Sequence, residues 1–175
     1  EACLATPEPA PSAGALALQD YNHFTIFVTD QQRSIGLYQQ LFGMPVDTYQ
    51  GALPVLRVGS GNQFLALGGG GGGPLGPHIH HACLTVDDFD VDRILGVLED
   101  FGVTPRGDAT GPVGPLQSYV TMRMPDRGGA PGGTPELYFT DPDGILLQLQ
   151  DARYCGGNGY LGEECGTPEN PTGRV

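Results

Sequence analysis

Two stretches of this chain share one layout in different residues. Asn22-His23-Phe24-Thr25-Ile26-Phe27-Val28-Thr29-Asp30 and His80-His81-Ala82-Cys83-Leu84-Thr85-Val86-Asp87-Asp88 each carry a histidine, alternate in polarity and close on an acid. Period-two alternation is the pattern of a strand whose two faces meet different surroundings. A helical pattern follows each stretch and stops at a glycine, Gly43 and then Gly102. The two histidine-to-glycine intervals differ by a single residue. A layout repeated in unlike residues points to internal duplication, and a duplicated fold can bring equivalent side chains together on a pseudo-twofold axis.

Read in order, the chain supports that repeat. Residues 1–20, rich in Ala and Pro, form a flexible lead-in. A first module, 21–67, starts with a strand to about 29. Asp30 caps a helix at 31–42 with a buried stripe of Ile35, Tyr38, Leu41 and Phe42. Strands near 45–50, 53–58 and 62–67 follow, punctuated by Gly51 and Gly59-Ser60-Gly61. Residues 68–77 are a Gly/Pro linker; its six glycines lack the Lys-Ser/Thr and the following helix of a phosphate-binding loop. The second module, 78–151, repeats the plan. It has a strand near 79–86, Asp87 and Asp88 as caps, and a helix near 89–101 burying Val91, Ile94, Leu95, Leu98 and Phe101. Strands near 117–124, 135–140 and 144–150 complete it, the last two joined by a tight Asp141-Pro142-Asp143-Gly144 turn. Gly128–Pro135 reads equally as a lid or as a long hairpin connection. A Cys-containing tail, 152–175, remains. The expected fold class is α+β: two βαβββ modules in one chain, paired into a cupped mixed β-sheet with flanking helices.

Composition narrows the function. The net charge of −12 over 175 residues argues against nucleic acid and anionic membrane surfaces, and fits a solvated acidic shell. No apolar run approaches a membrane span. Cys155 and Cys165 lie in a Gly-rich tail with little else to hold it, so a disulfide between them is expected, with Cys3 as an alternative partner. That pairing points to an extracytoplasmic compartment, periplasmic or secreted; free thiols in a cytosolic protein are the other reading. The sequence opens on Glu1 rather than Met, which fits removal of an N-terminal segment. There is no Ser-His-Asp arrangement, zinc-finger spacing or dinucleotide fingerprint.

A histidine near the start of each module, the βαβββ repeat and the closing Asp141-Pro-Asp-Gly-Ile-Leu-Leu-Gln-Leu149 hairpin together resemble the vicinal oxygen chelate superfamily. Glyoxalase I, extradiol dioxygenases and bleomycin-resistance proteins share that fold. The resemblance spans about 21–151. It implies a divalent metal bound by residues from the first and last strand of each module. Those positions are His23 and His81 on the first strands, Gln148 on the last strand of module two, and Ala66 on the last strand of module one. Ala66 supplies no ligand, so the resemblance favours the three-ligand scheme of extradiol dioxygenases over the four-ligand cage of glyoxalases. Gln148 stands where that scheme has a carboxylate, leaving the site more positive and the ion more weakly held. Iron is the first expectation, with manganese, zinc and nickel as other candidates. The implied substrate is a small molecule that chelates the metal through neighbouring oxygens. Tyr138, Arg123 and Tyr119 are the expected substrate-orienting or acid–base residues. A glyoxalase-like lyase or isomerase and a non-catalytic binding protein are the alternatives. Strand alternation points His80 away from His81, unless a bulge turns it in; Cys83 should be a buried filler and His78 a rim residue. Monomer and homodimer both remain open.

Overall fold

The computed structural model describes residues 14–108 and 112–165; Cys3 lies outside them. Its elements are β1 (Leu18–Phe27), α1 (Gln31–Phe42), β2 (Val46–Gln50), β3 (Leu53–Arg57), β4 (Phe64–Gly68), β5 (His78–Val86), α2 (Val91–Asp100), β6 (Thr104–Pro105), β7 (Gln117–Arg123), β8 (Thr134–Thr140) and β9 (Leu146–Asp151). Nine strands form one mixed sheet in the order β2-β3-β4-β1-β5-β9-β8-β7-β6. Apart from the two-residue β6, the order reads the same outward from the β1/β5 seam in both directions. Each half has its first strand parallel to its last, β1 with β4 and β5 with β9, and the seam itself is antiparallel. The α+β class and the paired βαβββ architecture are as expected.

Capping explains where α1 begins and ends. The Asp30 side chain accepts from the Arg33 amide, and Gly43 takes the left-handed conformation at φ 67°. The apolar stripe is shorter than expected, however. Ile35 is buried over Leu56 and Leu67 with Tyr38 packed beside it, while Leu41 and Phe42 are exposed. The last turn overruns this small core and faces solvent. In module two the cap is Asp90, which accepts from the Arg93 amide, rather than Asp87 or Asp88. Ile94 and Leu98 are buried against Val86, Leu137 and Leu149, with Val91 and Leu95 packed at the margin. Phe101, expected in that core, ends the helix and is exposed.

The helices cover one face of the sheet and leave the other free to form a cup. Segments that are not strands close over it. After Asp151 the chain turns across the sheet, and the Cys155 and Cys165 sulfurs stand at bonding distance, 2.02 Å. Donors from both modules hold this strap by its carbonyls: Asn22 to Tyr154, Arg57 to Cys155, Gln50 to Gly156 and Arg123 to Gly157. The β7–β8 connection also reaches module one. A β-carbon on Gly128 would sit 2.7 Å from the Tyr49 carbonyl, so the two backbones meet there.

Candidate metal centre

The register across the seam decides what shares the cup. His23 pairs with Phe64 on β4 and Cys83 on β5, Cys83 pairs with Gln148 on β9, and Gln148 with Tyr138 on β8. Residues paired across a sheet point to the same face, so Phe64, His23, Cys83, Gln148 and Tyr138 form one row. Thr25 and His81 pair in the neighbouring row. This layout brings the histidine of each first strand to a common centre.

Within that centre the Nε2 atoms of His23 and His81 are 3.3 Å apart, and both rings are buried. Burial, reinforced by the mutual effect of the rings, holds His23 well below the usual histidine range. Burial and neighbouring His80 bring His81 down to about 3. Both imidazoles are therefore neutral at physiological pH. The neighbouring Gln148 side chain acts on both rings in the opposite sense. Gln148 is fully buried and its Nε2 has no partner.

A cavity of about 210 Å³ opens from this centre, lined by Thr25, Phe27, Gln50, Leu53, His80, Arg127, Glu136, Tyr138 and Tyr154 as well as the three residues above. The ring of Tyr138 meets His81 edge-on at 5.3 Å, and burial raises its phenol well above the usual range, so the hydroxyl keeps its proton. Of the three side chains expected to work on substrate, only Tyr138 borders the cavity. Tyr119 stacks behind it at 4.9 Å beneath the Arg106 guanidinium. Arg123 is fully buried and is committed to the Glu136 carboxylate at 2.9 Å and to the Gly128 and Gly157 carbonyls. Cys83 is a buried thiol whose pKa burial pushes up, which suits a filler. His78 is not among the cavity residues; it bonds the Gly76 carbonyl and stacks on Phe27.

His80 departs from simple alternation. The β1/β5 register jumps from Thr25↔His81 to Ile26↔Ile79, leaving His80 as an extra residue in a bulge. The bulge turns it to the same side as its neighbour, with its Nδ1 2.7 Å from Nδ1 of His81. Glu136, Asn22 and Tyr154 also belong to the site without having been singled out. Glu136 shares the strand parity of Tyr138, a signal that was open to reading. Tyr154 lies beyond the last strand and carries none.

The chain matches the model of the Glyoxalase/Bleomycin resistance protein/Dioxygenase superfamily over residues 20–149. It belongs to that superfamily. The superfamily fold recurs in methylmalonyl-CoA epimerase from Mycobacterium tuberculosis, with a TM-score of 0.54 and 17% identity over 78% of this chain and 89% of that one. Homoprotocatechuate 2,3-dioxygenase from Brevibacterium fuscum, in complex with 3,4-dihydroxyphenylacetate, gives 0.55 and 19% over 81% and 39%. For 2,2',3-trihydroxybiphenyl 1,2-dioxygenase from Sphingomonas wittichii strain RW1 the figures are 0.51 and 16% over 79% and 42%. The chain thus spans about two fifths of each dioxygenase but most of the epimerase. No curated protein sequence matches it.

Superfamily members bind divalent metals, and the residues of this chain can be tested against such an ion. Among the described residues there is no group of three or more His, Cys, Asp or Glu side chains that could hold one. Two neutral imidazoles and one carboxamide remain. Zinc–nitrogen bonds run to about 2.0–2.1 Å, so nitrogens 3.3 Å apart are close enough to share one ion. Gln148, fully buried beside both rings with an amide nitrogen that has no partner, offers a carboxamide oxygen as a neutral third ligand. The set fits a divalent cation held by neutral ligands only. At the fourth position Ala66 is fully buried against Val55, Phe64 and Tyr154.

Proposed function

We propose that this chain is a metal-dependent enzyme of extradiol-dioxygenase type, with His23, His81 and Gln148 as ligands of a divalent ion, iron before manganese, zinc or nickel. Its substrate is a small molecule offering two neighbouring oxygens. The observation that carries this reading is the convergence of two neutral Nε2 atoms, from strands of different modules, at 3.3 Å. A divalent ion bound there would act as a Lewis acid toward the substrate oxygens, and its undiminished charge suits a substrate that binds as an anion. The protein's part is positioning. Tyr138 presents a protonated hydroxyl to the cavity, suited to donating to a substrate oxygen. Glu136 lies 3.4 Å from that hydroxyl and keeps its charge balanced by Arg123. Phe27, Leu53 and Tyr154 supply walls that limit water. Both modules reside in one polypeptide, so a monomer or a homodimer can each carry a complete site. The Cys155–Cys165 pair supports an extracytoplasmic setting.

Protein purified without added ions should carry near-stoichiometric metal, and His81→Ala should abolish that occupancy. Unchanged occupancy would reject the ligand set. The metal-loaded protein should consume oxygen with one or more members of a catechol panel. A second reading, a lyase or isomerase, is favoured by the Glu136 carboxylate in the cavity, which can accept a proton from substrate carbon. Turnover without oxygen uptake would select it. A metal-free protein that binds ligand without turnover would be the non-catalytic member.

A further inference from the structure

The hydrogen bonds behind the two imidazoles run in a single direction, and their far end fixes that direction without any choice of hydrogen placement. The Asn22 side chain lies 2.8 Å from the backbone carbonyl of Tyr154 on one side and 2.8 Å from Nδ1 of His23 on the other. A backbone carbonyl can only accept, so Nδ2 of Asn22 must face Tyr154 and Oδ1 must face His23. That oxygen also only accepts, so Nδ1 of His23 carries the hydrogen. A neutral imidazole has one N–H, which leaves Nε2 of His23 as a bare lone pair.

We propose that Asn22, clamped by the Tyr154 carbonyl, is a positioning residue that locks His23 as its Nδ1–H tautomer and turns an unprotonated Nε2 toward His81 and Gln148. The inference rests on the reading above in taking the Nε2 atoms as the working atoms. Tyr154 is a firm anchor: it is buried, its hydroxyl accepts from Gln50 at 3.0 Å, and its ring packs on Phe64 and His23. The pairing of Cys155 with Cys165 closes the strap directly after it.

The polarity carries on through the site. Without an ion, Nε2 of His81 must donate across the 3.3 Å gap to the bare Nε2 of His23. Nδ1 of His81 then accepts from Nδ1–H of His80 at 2.7 Å. A cation placed between the rings requires only the outer leg to reverse. The His81 hydrogen moves from Nε2 to Nδ1, and the His80 hydrogen moves from Nδ1 to Nε2 by exchange with solvent at the rim. No net proton is gained or lost, and His23 and Asn22 stay as they are. His23 is preset for the ion, whereas His81 adapts to it.

The test is a ¹H–¹⁵N spectrum of the imidazoles in the full chain, stripped of metal at pH 7.5, combined with calorimetric titration of Zn²⁺. His23 is expected as Nδ1–H and His81 as Nε2–H. Asn22→Asp loses the donor to the Tyr154 carbonyl but keeps an acceptor for His23 and should keep its Nδ1–H. Asn22→Leu should release it to Nε2–H and weaken Zn²⁺ binding about 10–100-fold, the usual effect of losing a partner of a metal-ligating histidine. Finding His23 as Nε2–H in the wild-type protein would overturn the proposal. So would an Asn22→Leu variant with both the Nδ1–H form and wild-type Zn²⁺ affinity. If Asn22→Leu does not fold, the wild-type spectrum still decides, since Nε2–H there is contrary. A wild-type protein that binds no Zn²⁺ would sink the metal reading and leave the tautomer result to stand or fall by itself.

Discussion

Arg123 offers a prediction whose size follows from its partners. The side chain is fully buried, with Nε on Glu136 at 2.9 Å and its two remaining nitrogens on the Gly128 and Gly157 carbonyls. Arg123→Met keeps much of the volume but removes the close, buried counter-ion of the almost wholly buried Glu136 carboxylate, leaving it the Thr121 and Tyr138 hydroxyls and the half-exposed Arg127 at 3.9 Å. Removing one partner of a buried ion pair costs about 3–5 kcal/mol. Each hydrogen bond lost from a charged donor to a carbonyl adds about 1.5–3 kcal/mol, so the expected loss is at least 6 kcal/mol. For a chain of this size that lowers Tm by roughly 12 °C or more, at about 2–4 °C per kcal/mol. The assay is guanidinium unfolding followed by circular dichroism, with the midpoint and slope fitted together. The double variant Arg123→Met/Glu136→Met removes that carboxylate as well and should regain roughly 3–5 kcal/mol. An Arg123→Met protein within about 1 kcal/mol of wild type, or a double variant no more stable than the single, would refute the assignment of Arg123 as the clamp joining Glu136, the β7–β8 loop and the strap.

Gln148→Glu should hold the ion more tightly, by roughly tenfold or more against a competing chelator, because an anionic ligand replaces a neutral one; weaker retention would place Gln148 outside the ligand set. Metal-free protein should lose stability as pH falls. Both site histidines are lowered in the folded state, so the unfolded chain takes up protons first. Stability is full above about 6.5 and declines at about 1.4 kcal/mol per pH unit for each ring down toward the folded value, about 3 for His81. A urea series in chelator should show that slope, and His81→Phe should reduce it by about one ring's share, about 1.4 kcal/mol per pH unit, with the partly buried and likewise lowered His80 still contributing. Gly129→Ala should destabilise by more than 2 kcal/mol in the same assay, since its β-carbon would fall 1.7 Å from the Arg123 carbonyl carbon's oxygen. Gly132→Ala, which meets nothing within 4 Å, is the control and should stay within about 0.5 kcal/mol.

Much of the architecture was legible because two periodicities carry it. Alternation along β1 and β5, helical spacing along α2 and glycines at the turns are local signals, and the fold adds them up. Parity within β5 also put Cys83 on the side of His81, whereas the grouping of His23 and His81 with Gln148 came from the family resemblance and their shared face from the strand register. Parity failed at His80, where one extra residue in β5 reverses the side of everything before it. Periodicity also misjudged Leu41, Phe42 and Phe101: it identifies an apolar stripe but not how far the core beneath it extends. Asn22 and Tyr154 were out of reach for a different reason. Their contact joins residues 132 positions apart, one of them past the end of the sheet, and no local pattern encodes it.

The duplicated halves are no longer chemically alike where they face each other. Gln148 offers an amide at the position where Ala66 offers a methyl, and Val55, Phe64 and Tyr154 crowd around that methyl. In the cavity itself the first module contributes Phe27 and Leu53 as apolar walls beside His23, Thr25 and Gln50, and the second contributes His80, His81, Glu136, Tyr138 and Gln148. Such unevenness would give a small planar molecule one preferred way round, its carbon skeleton against Phe27 and Leu53 and its oxygens turned to the histidines and Gln148.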